Sequence, residues 1–396
     1  MTARPLRILP VIIVSQFTGT SLWFAGNAVL GDLQREWALG PDALGYMTSA
    51  VQLGFVVGTL TFAFFAIADR YSPRRVFLLC SLLGALCNLG VYLTADGLTS
   101  LLALRFATGF FLAGIYPVGM KIAAGWYQRD LGNAIGFLVG ALVLGTAFPH
   151  LLKALGQAYP WEAVTIAVSA TAALGGLLMW AFVPDGPYLA KGAKFDPRAL
   201  AIIFRSRLFR ASAFGYFGHM WELYAFWAFV PVVLAAHFTQ TNAALSVPLW
   251  AFMVIGAGSI GCAVGGLISL RAGSARVAFA QLAISGMCCI ASPVFFHAPT
   301  PVFLAFMLLW GITVVGDSPQ FSALNAQNAP KALVGSALTV ANCIGFSITI
   351  PSIQLVNHLA GQVSAAFLYL PLAIGPVFGL LALLPLLRPV ESYRAS

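Results

Sequence analysis

Charged residues are scarce in this chain. Asp, Glu, Lys and Arg make up 8% of its 396 residues, where an ordinary soluble domain has about 25%. Hydrophobic residues make up 60%, and mean hydropathy is +0.89. No soluble core of this size hides so much apolar surface, so the composition excludes the soluble globular class. Cysteine is scarce as well. The six residues Cys80, Cys87, Cys262, Cys288, Cys289 and Cys343 form no C-x-x-C pair, and all fall in apolar stretches. That excludes a disulfide framework and a thiolate metal site, and leaves them as small apolar packing residues. No G-x4-G-K-[ST] loop, H-E-x-x-H helix or G-x-S-x-G elbow is present. Direct use of ATP, metallohydrolase chemistry and serine hydrolysis therefore have no support. The expectation is a protein that is not an enzyme and has no cofactor.

Long apolar runs fill the space. A spanning helix needs about 20 apolar residues. Twelve stretches qualify, near 8–30, 44–68, 76–95, 99–122, 131–152, 162–183, 211–236, 246–270, 277–296, 302–323, 334–357 and 364–387. Trp37, Trp126, Tyr127 and Trp161 flank them as interfacial aromatics do. The first stretch follows Arg4 and Arg7 but is too long for a signal-peptide core, so it reads as the first span. With the N-terminus in the cytoplasm, 18 of the 21 Lys and Arg fall on the cytoplasmic side and only Arg35 and Lys153 outside. That bias predicts a multi-pass membrane protein with both termini cytoplasmic, in a bacterial inner membrane. It also accounts for the net charge of +9 without nucleic acid. The expected partners are the lipid bilayer and small molecules, and the expected state is a monomer.

The longest polar connection, Pro184 to Arg210, divides the chain six spans against six. The predicted units are 1–184, a cytoplasmic linker at 185–210, and 211–396. The two halves repeat one another. "ADRYSPRRV" and "SLRAGSARV" align at an offset of 201, with Arg70 on Arg271 and Arg75 on Arg276. "GFFLAGIYP" and "GITVVGDSP" share G-x4-G-x2-P at an offset of 202, and "LGNAIG" and "VGSALT" align at 203. Three matches at nearly constant offset mark a parallel internal duplication.

These features resemble the major facilitator superfamily along essentially the whole chain. The family's loop motif G-x-L-A-D-R-x-G-R-R stands here as "FAIADRYSPRR", keeping Asp69 and Arg70 but carrying Phe65 and Ser72 in place of its glycines. The second copy has Leu270 in place of the Asp. Arg105 followed by Gly109 matches the family's span-four pattern. The resemblance implies an all-α polytopic fold of twelve transmembrane helices in two pseudo-symmetric six-helix halves, with spans one, four, seven and ten lining a central path. It also implies that Asp69, Arg70, Arg74 and Arg75 form a conformational gate whose ion pairs latch one state. General similarity points towards the nitrate/nitrite and cyanate porter branches.

Ionisable residues inside spans are candidates for function. Glu222 stands near the middle of span seven in "FGHMWELYAFW", and His219 shares its face at i, i+3. The expected view of that face is a wet cavity, where a carboxyl favoured in its neutral form carries a proton. Asp317 adjoins a helix break at Gly316 and Pro319, with Gln320 one turn on. Arg105 is the only basic residue well inside a span, and its expected partner is a buried acid or an anionic solute. Lys121, at the inner end of span four, is expected to snorkel to water. In span one, Gln16, Thr20, Trp23 and Asn27 fall on one helical face, and Tyr224 joins the aromatics of span seven. Span five carries "GALVLGTAFP" and lacks the Gly-Pro pair of the family's antiporter motif, which argues for uptake. The expected function is alternating-access secondary transport, a proton-coupled uptake of a small anion or organic acid. The alternative is proton-driven efflux of amphipathic or cationic compounds, with Glu222 and Asp317 as the cation-binding acids.

Overall fold

The computed structural model describes residues 5–127, 131–155, 160–189 and 202–387. Among them are twelve helical spans long and apolar enough to cross a membrane. In chain order they are Ile8–Glu36, Ala43–Phe64, Pro73–Leu93, Leu98–Trp126, Leu131–Leu155 and Trp161–Phe182, then Arg207–Thr241, Val247–Ala272, Ser274–Phe296, Thr300–Asn328, Val334–Ala360 and Ala365–Leu387. The span at which each begins alternates, so we call the side where span one starts the near face and the other the far face. Residues 190–201 of the linker at 185–210 lie outside the described residues, as do Arg4, Arg129, Lys191, Lys194, Arg198, Arg388 and Arg394.

Three spans break between two α-helices, and span twelve opens with two 3-10 turns before its α-helix Ile374–Leu387. Span four breaks between Leu98–Leu112 and Tyr116–Trp126, and span ten between Thr300–Gly316 and Ser318–Asn328. Both breaks fall on the repeated Gly-x2-Pro, because proline withdraws a backbone donor and favours a helix start. Span one breaks between Ile8–Thr20 and Ala25–Glu36, which the sequence did not announce with a proline. The hydroxyls of Thr18, Thr20 and Ser21 bond back to the carbonyls of Ser15, Gln16 and Thr18 and compete with the helix ladder there. The break splits the single polar face read from residue 16 to residue 27. Span seven, by contrast, runs unbroken for 35 residues despite Pro231.

The repeat is visible in the packing. Gly109 of span four lies so close to span two that a Cβ there would stand 2.1 Å from the Val51 carbonyl oxygen. Gly311 of span ten lies on span eight in the same way, with 2.0 Å to the Val254 oxygen. A residue larger than glycine does not fit either crossing, as at small-residue interfaces in membranes generally. The halves join where span five packs on span eight and span two on span eleven. Near the far face, Asn357 accepts from the Gly45 backbone N–H at 3.1 Å and Gln354 donates to Ser49 Oγ at 2.7 Å, so the seam is hydrogen-bonded across the two halves.

Candidate functional site

Arg105 is the centre of the first half. It is fully buried. Its Nη2 donates to the carbonyls of Leu22 and Trp23 at 2.8 and 2.7 Å, and its Nη1 to Asn88 Oδ1 at 3.0 Å. The two carbonyls belong to the break in span one. Backbone groups released at membrane depth need partners, and the fork of the guanidinium supplies them. No acid is among its protein partners: all three acceptors are neutral, and its Nε has no hydrogen-bond partner. Gln16, also fully buried, packs against Gly119 of span four, and its amide has no hydrogen-bond partner.

Glu222 is the centre of the second half, and it does not view a wet cavity. It is 1% exposed and points into the helix packing of its own half. Ser285 Oγ and Cys289 Sγ of span nine donate to its Oε1, the latter at 3.4 Å, and Trp310 Nε1 of span ten donates to the same oxygen at 2.7 Å. The reason is the burial of span seven on almost every side, so that even its polar residues meet neighbouring helices. One turn towards the near face, His219 Nδ1 lies 2.8 Å from Asp317 Oδ1 at the break in span ten. Apart from this contact, both oxygens of Asp317 and both ring nitrogens of His219 lack a hydrogen-bond partner. Asp317 does not cap the restarted helix with its side chain. Gln320 is buried one turn beyond it.

Between the halves lies an aromatic cluster. Trp23, at the break in span one, packs on Phe55 of span two, Tyr224 of span seven and Phe346 of span eleven, with ring centroids 4.9, 5.6 and 5.6 Å away. Its Nε1 donates to Gln52 Oε1 at 3.1 Å. Asn27, one turn further, donates to Thr48 Oγ1 at 2.9 Å.

At the near face, Asp69 forms an ion pair with Lys121, so that lysine is held rather than extended to water. Arg74 donates to the Trp180 carbonyl at 3.3 Å, and Ser72 Oγ donates to Asp185 Oδ1 at 2.9 Å. Arg70 and Arg75 are exposed. Lys121, Trp180 and Asp185 all belong to the first half or its immediate continuation, so these contacts tie that half to itself.

The family model of the major facilitator superfamily matches residues 11–352. The chain belongs to the major facilitator superfamily. Its sequence is 26% identical over 196 residues to the D-galactonate transporter of Escherichia coli, covering 48% of this chain and 45% of that protein. The chain thus spans less than half the length of the curated relative it matches. Its fold is that of the solved proton:xylose symporter XylE (TM-score 0.72, 13% identity, 96% of this chain and 95% of that one) and of the nucleoside transporter NupG (TM-score 0.71, 15% identity, 96% and 100%). This superfamily member is a multi-pass membrane protein.

Sequence reading missed Asn88, Gln52, Ser285, Cys289 and Trp310 as partners. Asn88 and Gln52 carried a signal, since each is an amide inside an otherwise apolar span. Cys289 carried none, because a thiol reads equally as packing.

Proposed function

We propose that this protein is a proton-coupled secondary transporter, a monomer in a bacterial inner membrane with cytoplasmic termini, whose units 1–184 and 211–396 rock to give alternating access. The observation that carries the reading is the pair of acids in the second half. Glu222 and Asp317 are 1% and 0% exposed, and neither has a lysine or arginine ion-pair partner among the described residues. A carboxylate held this way is costly, and a proton relieves the cost. The three donors to Glu222 all converge on Oε1, which leaves Oε2 to hold a proton. His219 beside Asp317 can share another. Uptake remains the direction we propose, on the missing Gly-Pro pair of span five. For an anionic solute Arg105 offers less than its full fork, because Nη1 and Nη2 are engaged by Asn88 and the broken span and Nε alone lacks a partner.

The test is flux into proteoliposomes under an imposed pH gradient, with D-galactonate, xylose, adenine and nicotinamide as labelled probes. Accumulation that follows the inward proton gradient and collapses with a protonophore is the expected result. Glu222→Gln keeps an oxygen for its three donors, so it should fold normally, exchange probe across the membrane, and lose accumulation. Accumulation by Glu222→Gln equal to that of the parent sinks the role given to this residue. Probe loss driven against the gradient would instead favour the exporter.

A further inference from the structure

We infer that the solute is a planar heteroaromatic molecule without a positive charge that stacks at Trp23 between the two halves; this rests on the transport reading above. The first observation is the composition of the seam. Trp23 and Phe55 come from one half, and Tyr224 and Phe346 from the other, and Trp23 and Phe346 lie nearly parallel at 26°. Alternating access must part these rings, and each parted face is a stacking surface. Aromatic pairs of this kind contribute about 0.5–1.5 kcal/mol beyond the area they bury.

The second observation is independent and concerns hydrogen bonds. Three buried polar groups around the rings lack a partner: Gln52 Nε2, Trp227 Nε1 and Asn27 Oδ1. Gln52 is bonded to Trp23 through its other amide atom, Asn27 is one turn from Trp23, and the Trp227 ring lies 5.3 Å from that of Tyr224 and 6.2 Å from that of Phe24. Gln52 and Trp227 are fully buried and Asn27 is 9% exposed. Buried polar groups are nearly always satisfied, and an orphan asks for a missing partner. Here the orphans are two donors and one acceptor. The complementary solute edge has two acceptors and one donor, as in a nucleobase or a pyridine carboxamide. Saccharides are puckered and ringed with hydroxyls, so they match neither the flat gap nor the two-acceptor, one-donor edge as well.

The third observation argues against a positive charge on the solute. Glu222 is turned into spans nine and ten, and Asp317 lies against His219, while Arg105, which donates to the Trp23 carbonyl, keeps its own positive charge beside neutral acceptors. A cationic solute would enter a layer of rings and amides whose nearest charge repels it.

The experiment is equilibrium dialysis of the purified full chain in detergent with adenine, uracil and nicotinamide, against xylose and D-galactonate. At least one planar probe should bind saturably, and neither polyhydroxy probe should. Trp23→Phe keeps a ring and should lower affinity by a few fold. Gln52→Met keeps the length of the side chain, removes the orphan amide donor, and should lower affinity about tenfold or more. The thermal midpoint of each variant in the absence of probe checks that it is folded. Binding of xylose or D-galactonate with all planar probes silent overturns the inference, and so does silence of every probe, or unchanged affinity in folded Gln52→Met. Dialysis needs no flux, so the two readings fail separately. Planar binding with gradient-independent transport ends the proton coupling alone, and gradient-driven transport of a polyhydroxy probe ends the stacking site alone.

Discussion

The two halves place opposite chemistry on one scaffold. At the repeat offset of 201, Asn88 of the first half corresponds to Cys289 of the second. Asn88 holds a cation, accepting from Arg105, while Cys289 holds an acid, donating to Glu222. At an offset of 202, Arg105 corresponds to Met307, and Glu222 to Thr20. Span one, at Thr20, opens its backbone and gives the carbonyls to Arg105; span seven keeps its helix whole and takes its donors from spans nine and ten. A duplicated fold therefore keeps its packing contacts and lets its buried polar residues diverge. Packing constrains shape at every crossing, whereas a buried charge constrains only the few atoms that answer it.

Each end of this contrast can be broken. Arg105→Leu should have the largest effect. It leaves the Leu22 and Trp23 carbonyls and Asn88 Oδ1 without their donor in a fully buried site, at a cost of about 3 kcal/mol or more. A fall in the thermal midpoint in detergent measures it; a midpoint equal to that of the parent would show that the break in span one needs no arginine. The glycine crossings come next and test what the halves share. Gly109→Ala and Gly311→Ala each drive a Cβ to about 2 Å from a backbone oxygen that cannot rotate away. Each should cost about 1–3 kcal/mol, and the two values should agree within experimental error. A large difference would mean that the crossings are not equivalent. Cys289→Ala should be the mildest. A thiol is a weak donor, and Ser285 and Trp310 remain on Glu222, so the loss should stay below about 1 kcal/mol, with gradient-driven accumulation retained. Loss of accumulation would promote the thiol from packing to coupling.

Much of the fold was legible in the chain. The twelve spans and the repeat are composition and spacing, and span four and span ten break where Gly and Pro fall together. The site was less legible. That Glu222 and His219 share a face follows from their spacing, but whether the face looks at a cavity or at a neighbouring helix does not. Arg105 was recognisable as a buried cation needing partners, yet its partners are main-chain carbonyls, which every residue carries and no side-chain pattern reveals. The break in span one was hidden because threonine and serine occur in intact spans as well.

The sequence alone determined what must be buried in lipid, how many times the chain crosses, and which residues carry charge at depth, because each of these is a transfer free energy or a spacing along one helix. Only the tertiary structure decided which charge meets which partner: Arg105 the opened backbone of span one, Glu222 a hydroxyl, a thiol and an indole, Asp317 an imidazole. Those pairings join helices distant along the chain, and their energies depend on distances of a few ångströms that only packing sets.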